Sequence, residues 1–475
     1  MDRPSPRLSP FAFFGAVLGP VACAAIHLAP VPIGLTTEGK SALAVLALCV
    51  VWWLLSPVAL PVTSLVGLAL LPALGALPTA DALALFGNPS VFFVIGVFLV
   101  AAVMHRTGLS SRLTLQGLRR AAASEDVLCW GVLGLSWALC SIVVSHAVAA
   151  IMLPVVLQII RALDLGPRSR TAKRLLLSMA WGTVAGSNLT LLSSARATLA
   201  LDLYANWRAN AGLAPDPIGF LDYAMGAAPI SLCSMLAAGI VLRIVLPPEG
   251  HDIAPAIARL DERVKELGPV HRREKLTIAV IVAMVVAMVT AGPQWLGIVA
   301  LLASGVLFLL QVLRWEDAER YVNWGVALMY GGAIAVGGAL DRTGATQWLA
   351  ESVLPDGLGP WSTVALIALL AAGLTEVVSN AAVIAVILPI ALPLAVTAGL
   401  DPHLLVWLVP LSAGFAFVLP TSTPAMAMVF GTGYLQVRHT SIGVVITIVS
   451  WAALLLLAGT LWPLLGLDVT AGVPP

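Results

Sequence analysis

The sequence predicts an all-α integral membrane protein, an inverted repeat of about eleven transmembrane helices with two re-entrant hairpins. Three observations carry that prediction: the composition, a pattern of polar breaks that occurs twice, and the charges that flank those breaks. Sixty per cent of the 475 residues are hydrophobic and only 10% are charged, 25 basic against 24 acidic, where soluble domains carry about a quarter charged residues. So few charges cannot cover a water-exposed globule. The net charge of +1 also argues against a nucleic-acid partner, leaving membrane lipid as the surroundings. A multi-pass protein of the plasma (inner) membrane is expected.

Residues 1–80 read as N-terminal scaffold helices, because charge-free tracts at 11–36 and 41–80 exceed the roughly 20 apolar residues that a spanning helix needs. Arg3 and Arg7 before Phe11 mimic a signal peptide, but the apolar run continues into further spans. An uncleaved first helix is expected. The five cysteines, Cys23, Cys49, Cys129, Cys140 and Cys233, lie in or beside apolar segments without metal-ligand spacing. They read as small core side chains.

Residues 81–246 form the first repeat and 276–467 the second. Asn88 opens a run ending at Arg106-Thr107-Gly108, and Asn323 opens one ending at Arg342-Thr343-Gly344. Each is followed by a long apolar segment with a central polar break, Ser145-His146-Ala147 or Ser379-Asn380-Ala381, and an apolar run to Pro154 or Pro389. Downstream, Ser193-Ser194-Ala195-Arg196 answers Ser422-Thr423-Pro424-Ala425. Polar breaks at matching places in two hydrophobic halves point to a secondary transporter whose substrate sits where the repeats meet.

The hairpins are assigned to 127–160 and 361–397, with arms of about 15 residues, short of the ~20 that would cross. Arg112, Arg119 and Arg120 precede the first, and Arg161, Arg168, Arg170, Lys173 and Arg174 follow it, so both its ends belong in the cytoplasm. The second has Glu351 and Asp356 before it and Asp401 after it, and is expected to enter from the opposite face. Between the repeats, 247–275 carries both signs of charge at helical spacing and reads as a solvated cytoplasmic connector.

The residues at the breaks resemble the divalent-anion/sodium symporter family, the carriers of dicarboxylates, citrate and sulfate, over roughly residues 40 to 465. That family's mark is a Ser-Asn-Thr triplet at each hairpin tip. Here the second tip, Leu374-Thr375-Glu376-Val377-Val378-Ser379-Asn380-Ala381, is similar, and Ser422-Thr423-Pro424-Ala425-Met426 is similar to the family's Gly-Thr-Pro-Pro-Asn element. Both tips lack the threonine. In the first, Val144-Ser145-His146 replaces the triplet if Pro154 sets the register. If the serines are aligned instead, His146 replaces the asparagine that helps to hold sodium. Either way the first sodium site is altered.

The resemblance implies a homodimer moving its hairpin domain like an elevator, with the anion contacted by Ser145, His146, Ser194, Arg196, Ser379, Asn380, Thr423 and Pro424. It also implies a surviving sodium site at Thr375, Val378, Asn380 and Ser422, sodium being the one cofactor expected. A guanidinium at membrane depth is costly unless it faces a cavity or partner, so Arg196 is read as the anion's counter-charge; the plainer reading pairs it with Glu376. His146 is read as a titratable charge at the tip, against the plainer reading of a neutral core histidine. A sodium-independent exchanger would carry such basic groups in place of the missing ions.

Two other functions compete for the same residues. A cation/proton antiporter or metalloid-anion carrier would place a carboxylate at the central crossing, where Glu376 alone could serve, unmatched in the first copy. A membrane enzyme could use the adjacent Ser145 and His146, but neighbours on a helix do not face each other and no acidic residue orients the imidazole. No enzyme is expected.

Overall fold

The computed structural model describes residues 10–121, 123–193, 195–353, 359–420 and 422–469. Among them every regular element is helical. The first half runs through α1 (Pro10–Leu28), α2 (Thr37–Leu55), α3 (Leu60–Ala73), α4 (Thr79–Phe86), α5 (Pro89–Thr107), α6 (Leu109–Ala121), α7 (Glu125–Cys140), α8 (Ser145–Ala162), α9 (Arg170–Gly186), α10 (Ala195–Asn210) and α11 (Phe220–Val245). α12 (Ala254–Glu266) lies between the halves. The second half runs through α13 (Arg272–Thr290), α14 (Leu296–Leu309), α15 (Trp315–Tyr321), α16 (Trp324–Arg342), α17 (Ala345–Val353), α18 (Pro360–Leu374), α19 (Asn380–Thr397), α20 (Leu405–Ser412), α21 (Pro424–Gly431), α22 (Val437–Thr440) and α23 (Gly443–Thr460).

Packing pairs recur between the halves. α5 lies on α14 as α16 lies on α3, α2 packs on α3 as α13 packs on α14, and α10 meets α19 as α21 meets α8. Thus α2 and α3, expected to precede the first repeat, pack as counterparts of α13 and α14. The asparagines that open the repeated runs are helix caps: Asn88 Oδ1 accepts from the Ser90 amide at 3.0 Å and Asn323 Oδ1 from Val326 at 3.3 Å. Such a side chain satisfies an amide that the first turn leaves without a partner.

Seven helices among the described residues are long and apolar enough to cross a membrane: Thr37–Leu55, Thr79–Thr107, Ser145–Ala162, Phe220–Val245, Trp324–Arg342, Asn380–Thr397 and Val437–Thr460. Five shorter apolar helices accompany them. The helix–turn–helix units α7–α8 and α18–α19 stand where hairpins are expected, but their arms are uneven. First arms have 16 and 15 residues, second arms 18 each, because Pro154 and Pro389 lie inside α8 and α19 without ending them.

The connector is bound more firmly than its mixed charges suggest. Buried Arg112 on α6 meets Glu274 at 2.9 Å and donates to the carbonyls of Leu267, Gly268 and Pro269. At the other end, the Glu125 carboxylate at the start of α7 accepts the amides of Glu249, Gly250 and His251 at 2.8 to 2.9 Å. Burial opposes ionisation of Glu249, yet hydrogen bonds from Ser169 and Thr171 outweigh it and bring its carboxyl down to about 2. The segment between the halves is thereby tied to the base of the first hairpin.

Candidate functional site

Both hairpin tips and both downstream breaks meet at one cavity of about 700 Å³. Ser145 and His146 reach it from the start of α8, Arg196 from α10, Val378, Ser379 and Asn380 from the second tip, and Ser422, Thr423 and Pro424 from the second break. Ser194 lies outside the described residues. Thr375 sits fully buried beneath the wall, one layer from the position expected of it. No aspartate or glutamate is among the described lining residues.

The geometry favours an anion. Helices α8, α10, α19 and α21 all begin at this cavity, so four N-termini direct their partial positive charge and first-turn amides towards it. Arg196 adds a full charge. Its Nη2 donates to Ser187 Oγ at 3.0 Å and to Asn188 Oδ1, both in the break that precedes α10. The carboxylate of Glu376 is engaged elsewhere: it accepts the amides of Phe417, Val418 and Leu419 at 2.8 to 3.0 Å. Arg196 and Glu376 thus each brace a break. Irregular backbone at membrane depth needs its polar groups satisfied by protein, and Glu376 does this for three of them.

The two breaks match in detail. Ser193 Oγ lies 3.0 and 2.5 Å from the carbonyl oxygens of Ser187 and Thr190, and Ser422 Oγ lies 3.3 and 2.7 Å from those of Ala416 and Leu419. Each serine therefore folds its loop back in the same way. The breaks also touch: a Cβ added at Gly414 would fall 2.0 Å from Asn188 Oδ1 and 2.6 Å from Arg196 Nη2. Only glycine allows that approach.

Counted from the helix starts, the two tips align on their prolines. α8 begins at Ser145 and α19 at Asn380, each of 18 residues, with Pro154 and Pro389 at the same position within them. Val144 therefore corresponds to Ser379, Ser145 to Asn380 and His146 to Ala381. Ser379 caps its helix through Ala382 N at 3.3 Å, whereas Val144 provides no side-chain cap. Four residues earlier by the same count, Cys140 falls opposite Thr375, while the helix ends set Ser141, the C-cap of α7, opposite Thr375, the C-cap of α18, because the first tip is one residue shorter. At the second tip Thr375 Oγ1 lies 2.8 Å from Asn380 Oδ1 and 2.7 Å from the Ala413 carbonyl, so three oxygens gather at one point. His146 rests edge-on against Phe98, ring centroids 5.7 Å apart.

Sequence reasoning missed Ser187, Asn188 and the Ala413 carbonyl, because a polar residue that supports a break looks like any helix-packing polar residue. Phe98, Asn323 and Tyr330, which line the cavity from α5 and α16, had no signal beyond the repeat itself.

Residues 13–467 match the model of the family described as sodium:sulfate symporter transmembrane region. The chain is 27% identical to the sodium-dependent dicarboxylate transporter SdcS of Staphylococcus saprophyticus, over 97% of this chain and 93% of the relative. It is 26% identical to the protein of the same name from Staphylococcus aureus (strain bovine RF122 / ET3-1), over 99% and 96%. Among solved structures it is similar to the YdaH transporter of Alcanivorax borkumensis, with a TM-score of 0.56 at 13% identity, over 80% of this chain and 88% of that one; this likeness concerns the fold alone. With all but its ends matched, the chain is a multi-pass plasma-membrane transporter, not an enzyme, and belongs to the sodium:sulfate symporter family.

Proposed function

We propose that the protein is a secondary active transporter of small divalent anions, C4-dicarboxylates foremost, that works by alternating access and couples to one sodium ion. The observation that carries this reading is the cavity itself: four helix N-termini and Arg196 converge on a space with no described acidic lining. An arginine offers two parallel donors to a carboxylate or sulfate. The dicarboxylate class is supported by the names of the relatives, and sulfate by that of the family.

In this reading the anion lies between the tips, contacted by Ser145, His146, Arg196, Ser379, Asn380, Thr423 and Pro424, with Ser194 beside them. The oxygens of Thr375, Asn380 and Ala413 mark the sodium position, completed by Val378 and Ser422. In the first copy Cys140 removes the matching hydroxyl and offers a soft sulfur, a poor partner for a hard cation. Arg196 supplies there a permanent positive charge, so one sodium is replaced and the other kept.

The architecture that goes with this is an inverted repeat joined by the connector, its two hairpins re-entrant from opposite faces. A homodimer and an elevator-like movement of the hairpins against α5 and α16 follow from the family resemblance. An acidic antiporter site is disfavoured, since the bonds of Glu376 are to loop amides.

The test is thermal stabilisation of the purified protein by succinate, malate, citrate, aspartate and sulfate, each with and without sodium, since a ligand of the native state raises its melting temperature. A divalent anion should stabilise, and more so with sodium. Stabilisation by none of them, or by aspartate alone, would remove the divalent-anion reading.

A further inference from the structure

Beyond Arg196, α10 carries a second charged side chain that is partly buried. Asp202 follows it by six residues, about 9 Å along the helix at 1.5 Å per residue. Its Oδ2 atom is sealed from solvent and has no hydrogen-bond partner. The hydroxyl of Ser90, in the first turn of α5, faces the carboxyl. Asn206, one turn further along the same face, has a sealed Nδ2 that is likewise without a partner. Asp202 and Ser90 thus lie on the contact between α10, which bears the anion site, and α5, which packs on α13, α14 and α15, with Asn206 one turn further along α10.

A stable seam between two helices would not leave a carboxylate oxygen and an amide nitrogen buried and unbonded, because each such group costs about 1–3 kcal/mol and a charged one more. The arrangement makes sense if the seam opens to water during the transport cycle. An intramembrane carboxyl is a functional-site hypothesis by default, proton relay being one such use.

The other titratable or charged groups on the packed elements are engaged elsewhere. Asp341 at the end of α16 accepts from Thr346 at 2.7 Å, and Arg106 on α5 pairs with Asp317. His105 on α5 stacks on Tyr321. Tyr330 of α16 lines the anion cavity, and Arg342, at the end of α16, lies 3.9 Å from Asp81. α19 and α20 carry no charged side chain. On α10 itself, Tyr204 and Arg208 bind Asp216 and each other, and Arg196 binds Ser187 and Asn188.

We propose that Asp202 is a proton-binding site that couples transport to protons: it holds a proton while the α10–α5 seam is closed, and releases it to water when the seam opens. One O–H bond breaks, its proton passing to water and its electron pair staying on the carboxylate; closing reverses the step. This rests on the transporter reading but on none of its anion or sodium contacts.

The test needs no substrate. In full-length protein in vesicles, freed of native cysteines and carrying His146→Asn so that the imidazole cannot contribute, a single cysteine at Asn206 is labelled with a small polar thiol reagent. Its rate is divided by that of a cysteine at exposed Ala209, which cancels the thiol's own ionisation. Between pH about 6 and about 8.5, a span that converts a carboxyl in an apolar seam from acid to anion, the ratio should rise about tenfold. Asp202→Asn should hold it at the low value throughout, and Ser90→Ala, which keeps the carboxyl, should retain the rise with a displaced midpoint. A ratio independent of pH with Asp202 present, or a rise that survives Asp202→Asn, overturns the proposal. Failure here leaves anion stabilisation as it was, and failure of that screen leaves this labelling result standing.

Discussion

The two hairpin tips share a backbone and differ in chemistry. Both start an 18-residue helix at the cavity, with a proline at the same step, and both are followed by a break that a serine folds onto two carbonyls. At the second tip a serine caps the helix, and a threonine, an asparagine and a carbonyl bring oxygens together. At the first, counted from the helix starts, valine and cysteine stand in the places of the serine and threonine, and an arginine lies in the break behind them. The shared backbone makes a site for an anion. In the function proposed above, the differing side chains decide which cations accompany it: an ion bound from solution at one tip, a guanidinium built into the chain at the other.

The largest effect should come from removing that guanidinium. Arg196→Ala takes a charged donor from a buried network, a loss on the order of 2–5 kcal/mol, so the anion affinity read from stabilisation should weaken at least about 30-fold. Adding Glu376→Gln should not restore it. Rescue by the second change would show that Arg196 exists to neutralise Glu376, and the contrast between the tips would lose its meaning.

Capping should give a smaller effect. Ser379→Ala removes a side-chain cap worth ~1 kcal/mol, whereas Val144→Ser offers α8 a cap it lacks and should stabilise by up to ~1 kcal/mol. Opposite shifts of the melting temperature in ligand-free protein would sharpen the comparison. Shifts of the same sign would mean that the tips are not equivalent positions.

Much of this was legible in the sequence, and unevenly so. The paired breaks at Ser145 and Ser379 could be found because a polar residue within an apolar stretch stands out. Pro154 and Pro389 could set the register, since insertions change spacing and leave the repeat unit visible. The arms, expected at about 15 residues, have 16 and 18 in the first hairpin and 15 and 18 in the second, with α8 and α19 continuing past their prolines. The role of Glu376 was out of reach: its partners are amides some 40 positions away, and an amide carries no residue-type signal. Asn188 was hidden for the same reason, as nothing local marks it as the seat of Arg196. Asp202 could have been noticed as an acid in an apolar helix, but the run from Ala195 to Asn210 also carries Arg196 and Arg208, which makes it look like a solvated helix.

The most direct test of the account is a sodium titration of labelled succinate uptake into vesicles containing the protein. With one sodium position kept and the other replaced by Arg196, the dependence should be hyperbolic, with a single ion per turnover. Thr375→Val keeps the shape of the side chain and removes its hydroxyl, an expected cost of about 1–3 kcal/mol, so half-saturation should move up by about fivefold or more. A sigmoidal dependence requiring two or more sodium ions, or an unchanged titration in Thr375→Val, would contradict the account.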